Sequence, residues 1–142
     1  MKLIAEENLG PMFHNGKVSL YVYDSDSKES LKQVRAFLPG IEARNKWKFE
    51  TIEGLTGGMP VIENGKVTSV YTENLYVLIN LGADANAVEN TLPHQLTHLA
   101  FDLMCSMNLD VSESEPAALL IGSLNEKWAP LVREEVERES NQ

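Results

Sequence analysis

The chain has little cysteine, little positive charge and no long apolar run. Its one cysteine, Cys105, excludes an internal disulfide and suits a reducing compartment. Lysine and arginine number 12 against 21 acidic residues, a net charge of −9. That balance argues against duplex nucleic acid and anionic membrane as partners. No segment approaches the roughly 20 apolar residues that span a bilayer. The opening MKLIAEENLGPMF has a short apolar patch and then two glutamates, without the long apolar stretch of a signal peptide. A soluble, cytoplasmic protein is therefore expected. Internal repeats and low-complexity linkers are also missing. What is present is a chain of 142 residues, 43% hydrophobic, which suits a single domain with a real core.

The first half, residues 1–82, is mostly strand-like. KVSLYVYDS (17–25) is β-branched and aromatic, which predicts a strand. In SKESLKQVRAFLPG (27–40), Leu31, Val34 and Phe37 share a helical face, and Pro39-Gly40 stops the helix. NKWKFETIEG (45–54) alternates loosely through Trp47, Phe49 and Ile52 and is read as an edge strand. In MPVIENGKVTSVYT (59–72), Asn64-Gly65 between two β-rich runs predicts a hairpin. NLYVLINLG (74–82) is a near-continuous apolar run, expected as a central strand.

Residues 83–142 are expected to be helical. One helix should run from about Leu92 to Met107, with Thr91 as N-cap and Pro93 in the first turn. A second should start near Glu115, where Ser112 and Glu115 have capping-box spacing and Pro116 suits a first turn. Pro130 should break or kink it, leaving a charged third helix. Strands with one helix, then helices together, predict an α+β fold.

Within TLPHQLTHLAFDLMC (91–105), His94 and His98 lie one turn apart, so both rings can reach one ion. Taking about 100° per residue, Phe101 and Cys105 share the histidine face, and Leu92, Leu96, Leu99, Leu103 and Met107 form the opposite one. A helix apolar on both faces should be central and buried, with Cys105 in the core. A catalytic zinc takes three protein ligands and a water. Glu115, 17 residues past His98, is a candidate third ligand. Gly122 on its side would let the two helices approach. Glu113 is a fallback ligand, and the other reading of Glu115 is a capping-box residue only. Asp102 could orient the His98 ring or simply be exposed. His14 in PMFHNG could stabilise an oxyanion or be an ordinary surface side chain. Tyr71 and Tyr76 are read as surface or core.

The H-x-L-T-H-x-x-x-D pattern with a downstream glutamate resembles the active-site helices of thermolysin-type gluzincins, where the motif is H-E-L-T-H. LYVLINL, TLPHQLTHLAFDL and EPAALLIGSL together look more like small single-domain zincins, many of them encoded by bacteriophages. The resemblance covers roughly residues 74–128. It implies a zinc metallopeptidase with His94, His98 and Glu115 as metal ligands. Two departures matter. Gln95 stands where the family has its general-base glutamate, and Leu119 stands where E-x-x-A-Y-L has tyrosine.

The family's glutamate takes a proton from the metal-bound water and returns it to the leaving amine. A glutamine amide can hold that water but cannot carry its proton. Such a base contributes on the order of 10²–10⁴ in rate, so a chain with Gln95 should be nearly inactive while keeping its zinc. Gln95 is either native or a replacement of glutamate. The expected activity is hydrolysis of a peptide or protein substrate lying along a sheet edge. The alternative is a non-catalytic zinc-binding protein on the same scaffold, docking on a host protein of a phage-infected cell. A plain α+β interaction domain without metal is the third reading.

Overall fold

The structure is a computed structural model that describes residues 1–82, 87–108 and 115–140. Four strands form one mixed sheet: β1 (Lys2–Asn8), β2 (Lys17–Tyr23), β3 (Gly54–Glu63) and β4 (Lys66–Asn80), in the order β1-β2-β4-β3. β2 and β4 pair in parallel, and the two outer pairings are antiparallel. The helices are α1 (Lys28–Phe37), the short α2 (Ile41–Asn45), α3 (Leu92–Ser106) and α4 (Glu115–Ser140). The fold is α+β, as its element order predicts. Among the described residues, no helix is long and apolar enough to cross a membrane.

Alternation along the two central strands divides the core into two. Val18, Leu20 and Val22 of β2 and Leu75, Val77 and Ile79 of β4 face α3 and α4. Tyr23, Tyr76 and Leu78 face the other way, against Leu31, Val34 and Leu38 at α1 and Phe49 after α2. Strands covered on both faces need continuous apolar runs, which is what KVSLYVY and LYVLIN supply.

The hairpin turns at Asn64 and Gly65, both with positive φ (54° and 75°), and Glu63 pairs with Lys66 across it. This is the two-residue loop that Asn-Gly favours. The run 74–82 is not a separate strand. It is the second half of β4, which is 15 residues long and continuous from the hairpin.

Residues 45–53 are not an edge strand. α2 ends at Asn45, Lys46 takes a left-handed conformation (φ 60°), and the chain turns. The Glu42 carboxylate accepts from the Phe49 amide and closes that turn, so Phe49 becomes a fully buried anchor. Trp47 and Phe49 alternate because they wedge edge-to-face into the second core, not because the backbone is extended. β1, at the opposite edge of the sheet, had no distinct signal. Its pattern is interrupted by a register shift between Leu3 and Ala5.

Pro130 does not end α4, which continues through it to Ser140. Proline removes one helical hydrogen bond. Here Trp128 (1% exposed) and Val132 (0%) flank it on the buried face and hold both halves on the core.

Candidate functional site

The site is built where the first turns of α3 cross the start of β3. A π-helical turn (Ala87–Thr91) leads directly into α3. Thr91 is itself helical (φ −69°, ψ −45°), so it is not the expected N-cap, and its hydroxyl donates to Glu53 Oε2 at 3.5 Å. Leu92, Leu96, Leu99 and Leu103 are all at most 1% exposed and dock α3 on the sheet. The approach is close because residue 54 is glycine. A Cβ there would meet Leu78 O at 2.9 Å and Thr91 Cγ2 and Gln95 Cγ at 3.0 Å each.

The second apolar face of α3 is not buried, contrary to expectation. His94, His98, Phe101 and Cys105 lie on an exposed stripe, Phe101 at 49%. Four leucines already saturate the contact with the sheet, and α4 leaves this side open. Cys105 is therefore a surface thiol, not a core residue.

On that stripe the two histidines converge. His94 Nε2 and His98 Nε2 are 3.1 Å apart, with the ring planes at 79°. Two nitrogens bound tetrahedrally to one zinc at 2.0–2.1 Å would be about 3.3 Å apart. The two rings thus share one hydrogen bond at nearly the separation that two ligands of one ion would have. Thr97, between them, donates its hydroxyl back to Pro93 O at 2.9 Å.

Gln95 turns away from the stripe. It is 7% exposed, and its Oε1 accepts from Thr56 Oγ1 of β3 at 2.7 Å, with its backbone carbonyl at 3.2 Å from the same hydroxyl. A cleft of about 440 Å³ opens beside these groups, lined by Thr51–Gly54 of the β3 approach and by Asn90, Thr91, His94 and Gln95. Among the described residues lining it, Glu53 is the one carboxylate, a position that no motif in the sequence marks. Only the hairpin register, which sets Gly54 against Ile79, brings it to α3.

Glu115 begins α4 and is exposed. The buried face of α4 is Ala117, Leu120, Leu124, Trp128 and Val132, roughly opposite Glu115. Gly122 does not mediate helix contact, since a Cβ there would meet nothing within 4 Å. Ser112 and Glu113 lie outside the described residues. Among the described residues, no group of three histidine, cysteine or acidic side chains is assembled to hold an ion. The histidine pair fits two ligand positions of a zinc site, and the third is not closed.

Asp102 is exposed, and partial burial holds its carboxyl above the ordinary range, with His98 pulling the other way. Burial also raises the Tyr76 hydroxyl, and the charge of Asp102 adds to that. Tyr76 is a core residue and Tyr71 a surface one. His14 belongs elsewhere: its Nδ1 lies 3.3 Å from the Glu73 carboxylate.

The chain matches no family model, no curated protein and no solved structure.

Proposed function

We propose that this chain is a zincin-like metallopeptidase scaffold that binds one zinc ion through His94 and His98, with Gln95 in place of the general base. The observation that supports this reading is the convergence of the two Nε2 atoms to 3.1 Å on an exposed stripe beside a cleft. Zinc bound there would polarise a carbonyl and supply a nucleophilic water. The protein's own part is to hold the ion and to present a peptide along β3, which among the described residues is the edge strand of the sheet and runs from the cleft. Glu115 is the third ligand that the zincin resemblance implies. The peptide or protein target is the partner that this chemistry calls for.

The burial of Gln95 favours a second reading. Its amide already serves the helix–sheet contact, which suits a protein that holds zinc and a target without cutting.

Zinc per chain, measured by elemental analysis after gel filtration on the protein and on His98→Ala, tests the common premise. One zinc lost in the variant supports it. No zinc in either, even after zinc is added, removes it.

A further inference from the structure

We infer that the cleft between α1 and the turn after α2 binds a nucleoside polyphosphate, a site independent of the histidine stripe.

Positive charge in this chain is concentrated. Six of its 12 lysines and arginines, but only two of its 21 acidic residues, lie between Lys28 and Lys48. That segment, α1 and α2 with the start of the following turn, carries +4, and the rest of the chain carries −13. It packs on the second core, on the face of the sheet away from α3 and α4. Within it opens a cleft of about 360 Å³, lined by Arg35, Glu42, Ala43, Lys46, Trp47 and Lys48. A small ligand fits a space of that size.

The one carboxylate lining the cleft is already engaged. The Arg35 guanidinium donates to Glu42 Oε1 and Oε2 at 2.8 and 3.1 Å and also pairs with Glu50. Glu42 accepts from the Phe49 amide as well, at 3.0 Å. Lys46 and Lys48 are exposed, and among the described residues their ammonium groups enter no ion pair or hydrogen bond. Trp47 stands between them in the chain. Its ring is half-buried, edge-to-face on Phe49 at 5.2 Å between centroids, and its amide donates to Glu42 O at 3.3 Å.

Two uncommitted cations and a fixed indole in one cleft define the chemistry of the ligand. The ammonium groups call for phosphate oxygens. The indole calls for a planar base, since any nucleobase can stack on an aromatic side chain. The extent of the patch limits the ligand's length. A long polyanion would run from the +4 layer onto a surface of the opposite sign and be repelled, whereas a single nucleotide stays within the layer.

The test is calorimetric titration of the full chain with ATP, GTP, CTP and UTP, and with tripolyphosphate as the base-free probe. Saturable binding of at least one nucleotide is expected, with quenched tryptophan emission that belongs to Trp47, because Trp128 is 1% exposed. A stacked base should make that nucleotide about 5–150-fold tighter than tripolyphosphate. Lys46→Gln/Lys48→Gln should weaken it by at least about tenfold, while Lys66→Gln, at an equally exposed lysine of the hairpin turn, should match the parent. Thermal melts equal to the parent's show that the variants are folded. No saturable binding of any nucleotide overturns the inference. So does parent-like affinity in the double variant, or an equal loss in Lys66→Gln. Tripolyphosphate as tight as the nucleotides, without quenching, overturns the nucleoside assignment.

Discussion

Thr56 Oγ1 and Gln95 Oε1 are joined at 2.7 Å across the seam between β3 and α3. The bond fixes the rotamer of the residue that stands where a peptidase would carry its base. With Gln95 at 7% exposure, removing the donor leaves its amide oxygen short of a partner. Thr56→Val is expected to lower stability by about 1–3 kcal/mol. Urea unfolding should show a lower midpoint with the same slope, and an unchanged midpoint would mean that the bond contributes nothing net.

Under the proposed peptidase reading, Gln95→Glu would supply a proton carrier without changing the length of the side chain. Hydrolysis of casein or a peptide library by the zinc-loaded protein should rise on the order of 10²–10⁴-fold, while zinc content stays the same. No gain across substrates, in a variant that still binds zinc, would favour the non-catalytic reading.

Gly54→Ala tests the close approach of α3. The new Cβ would sit 2.9 Å from Leu78 O and 3.0 Å from Thr91 and Gln95 carbons. The Leu78 oxygen belongs to β4 and cannot yield as a side-chain tip would, so the β3–β4 pairing must give, and the Thr91 and Gln95 side chains of the α3 segment with it. A loss of about 1–3 kcal/mol is expected. A thermal midpoint equal to that of the parent would show that the helix already has slack at this crossing.

The last turn of α4 predicts a pH dependence. The Glu139 carboxyl is pushed up to about 7, first by its hydrogen bond with Asp24, then by burial and by the charges of Asp24, Glu135 and Asp26. Its ordinary value is 4.5. Between these values the folded chain holds a proton that the unfolded chain has released. Stability from this group is therefore full below the lower value and falls as pH rises through the upper one. The urea midpoint should drop between about pH 5 and about pH 8, and Glu139→Gln should reduce that drop. Equal drops in both proteins would remove Glu139 as the cause.

What the sequence made legible were the features with local causes. Asn64-Gly65 specifies its turn through two positive φ angles, and the leucines of α3 mark its docking face through spacing alone. Features that depend on distant partners were hidden. Trp47, Phe49 and Ile52 alternate like a strand, yet Glu42 folds them into a turn through one backbone bond. Cys105 and Phe101 look like core in a doubly apolar helix, but nothing in α3 itself tells that α4 leaves that side open. Pro130 is a helix breaker by its own chemistry, and its neighbours Trp128 and Val132 override it by burial. At the site, the histidine spacing was visible and the partnership of Gln95 with Thr56 was not. Neither was the placement of Glu53, because both depend on how β3 and the residues just before it meet α3.

The parallel pairing of β2 with β4 also bears on how the chain reaches this structure. Lys17 meets Asn74 in that register, 57 positions along the chain (74 − 17). The β3–β4 hairpin closes over two residues and can form in about 1–10 μs. The parallel seam must wait for a long loop to close, and that entropy is lost before any of its contacts form. Folding should therefore be limited by the meeting of β2 with an already formed ribbon. The cleft beside His94 depends on that ribbon for one wall, so it takes shape only once α3 has docked.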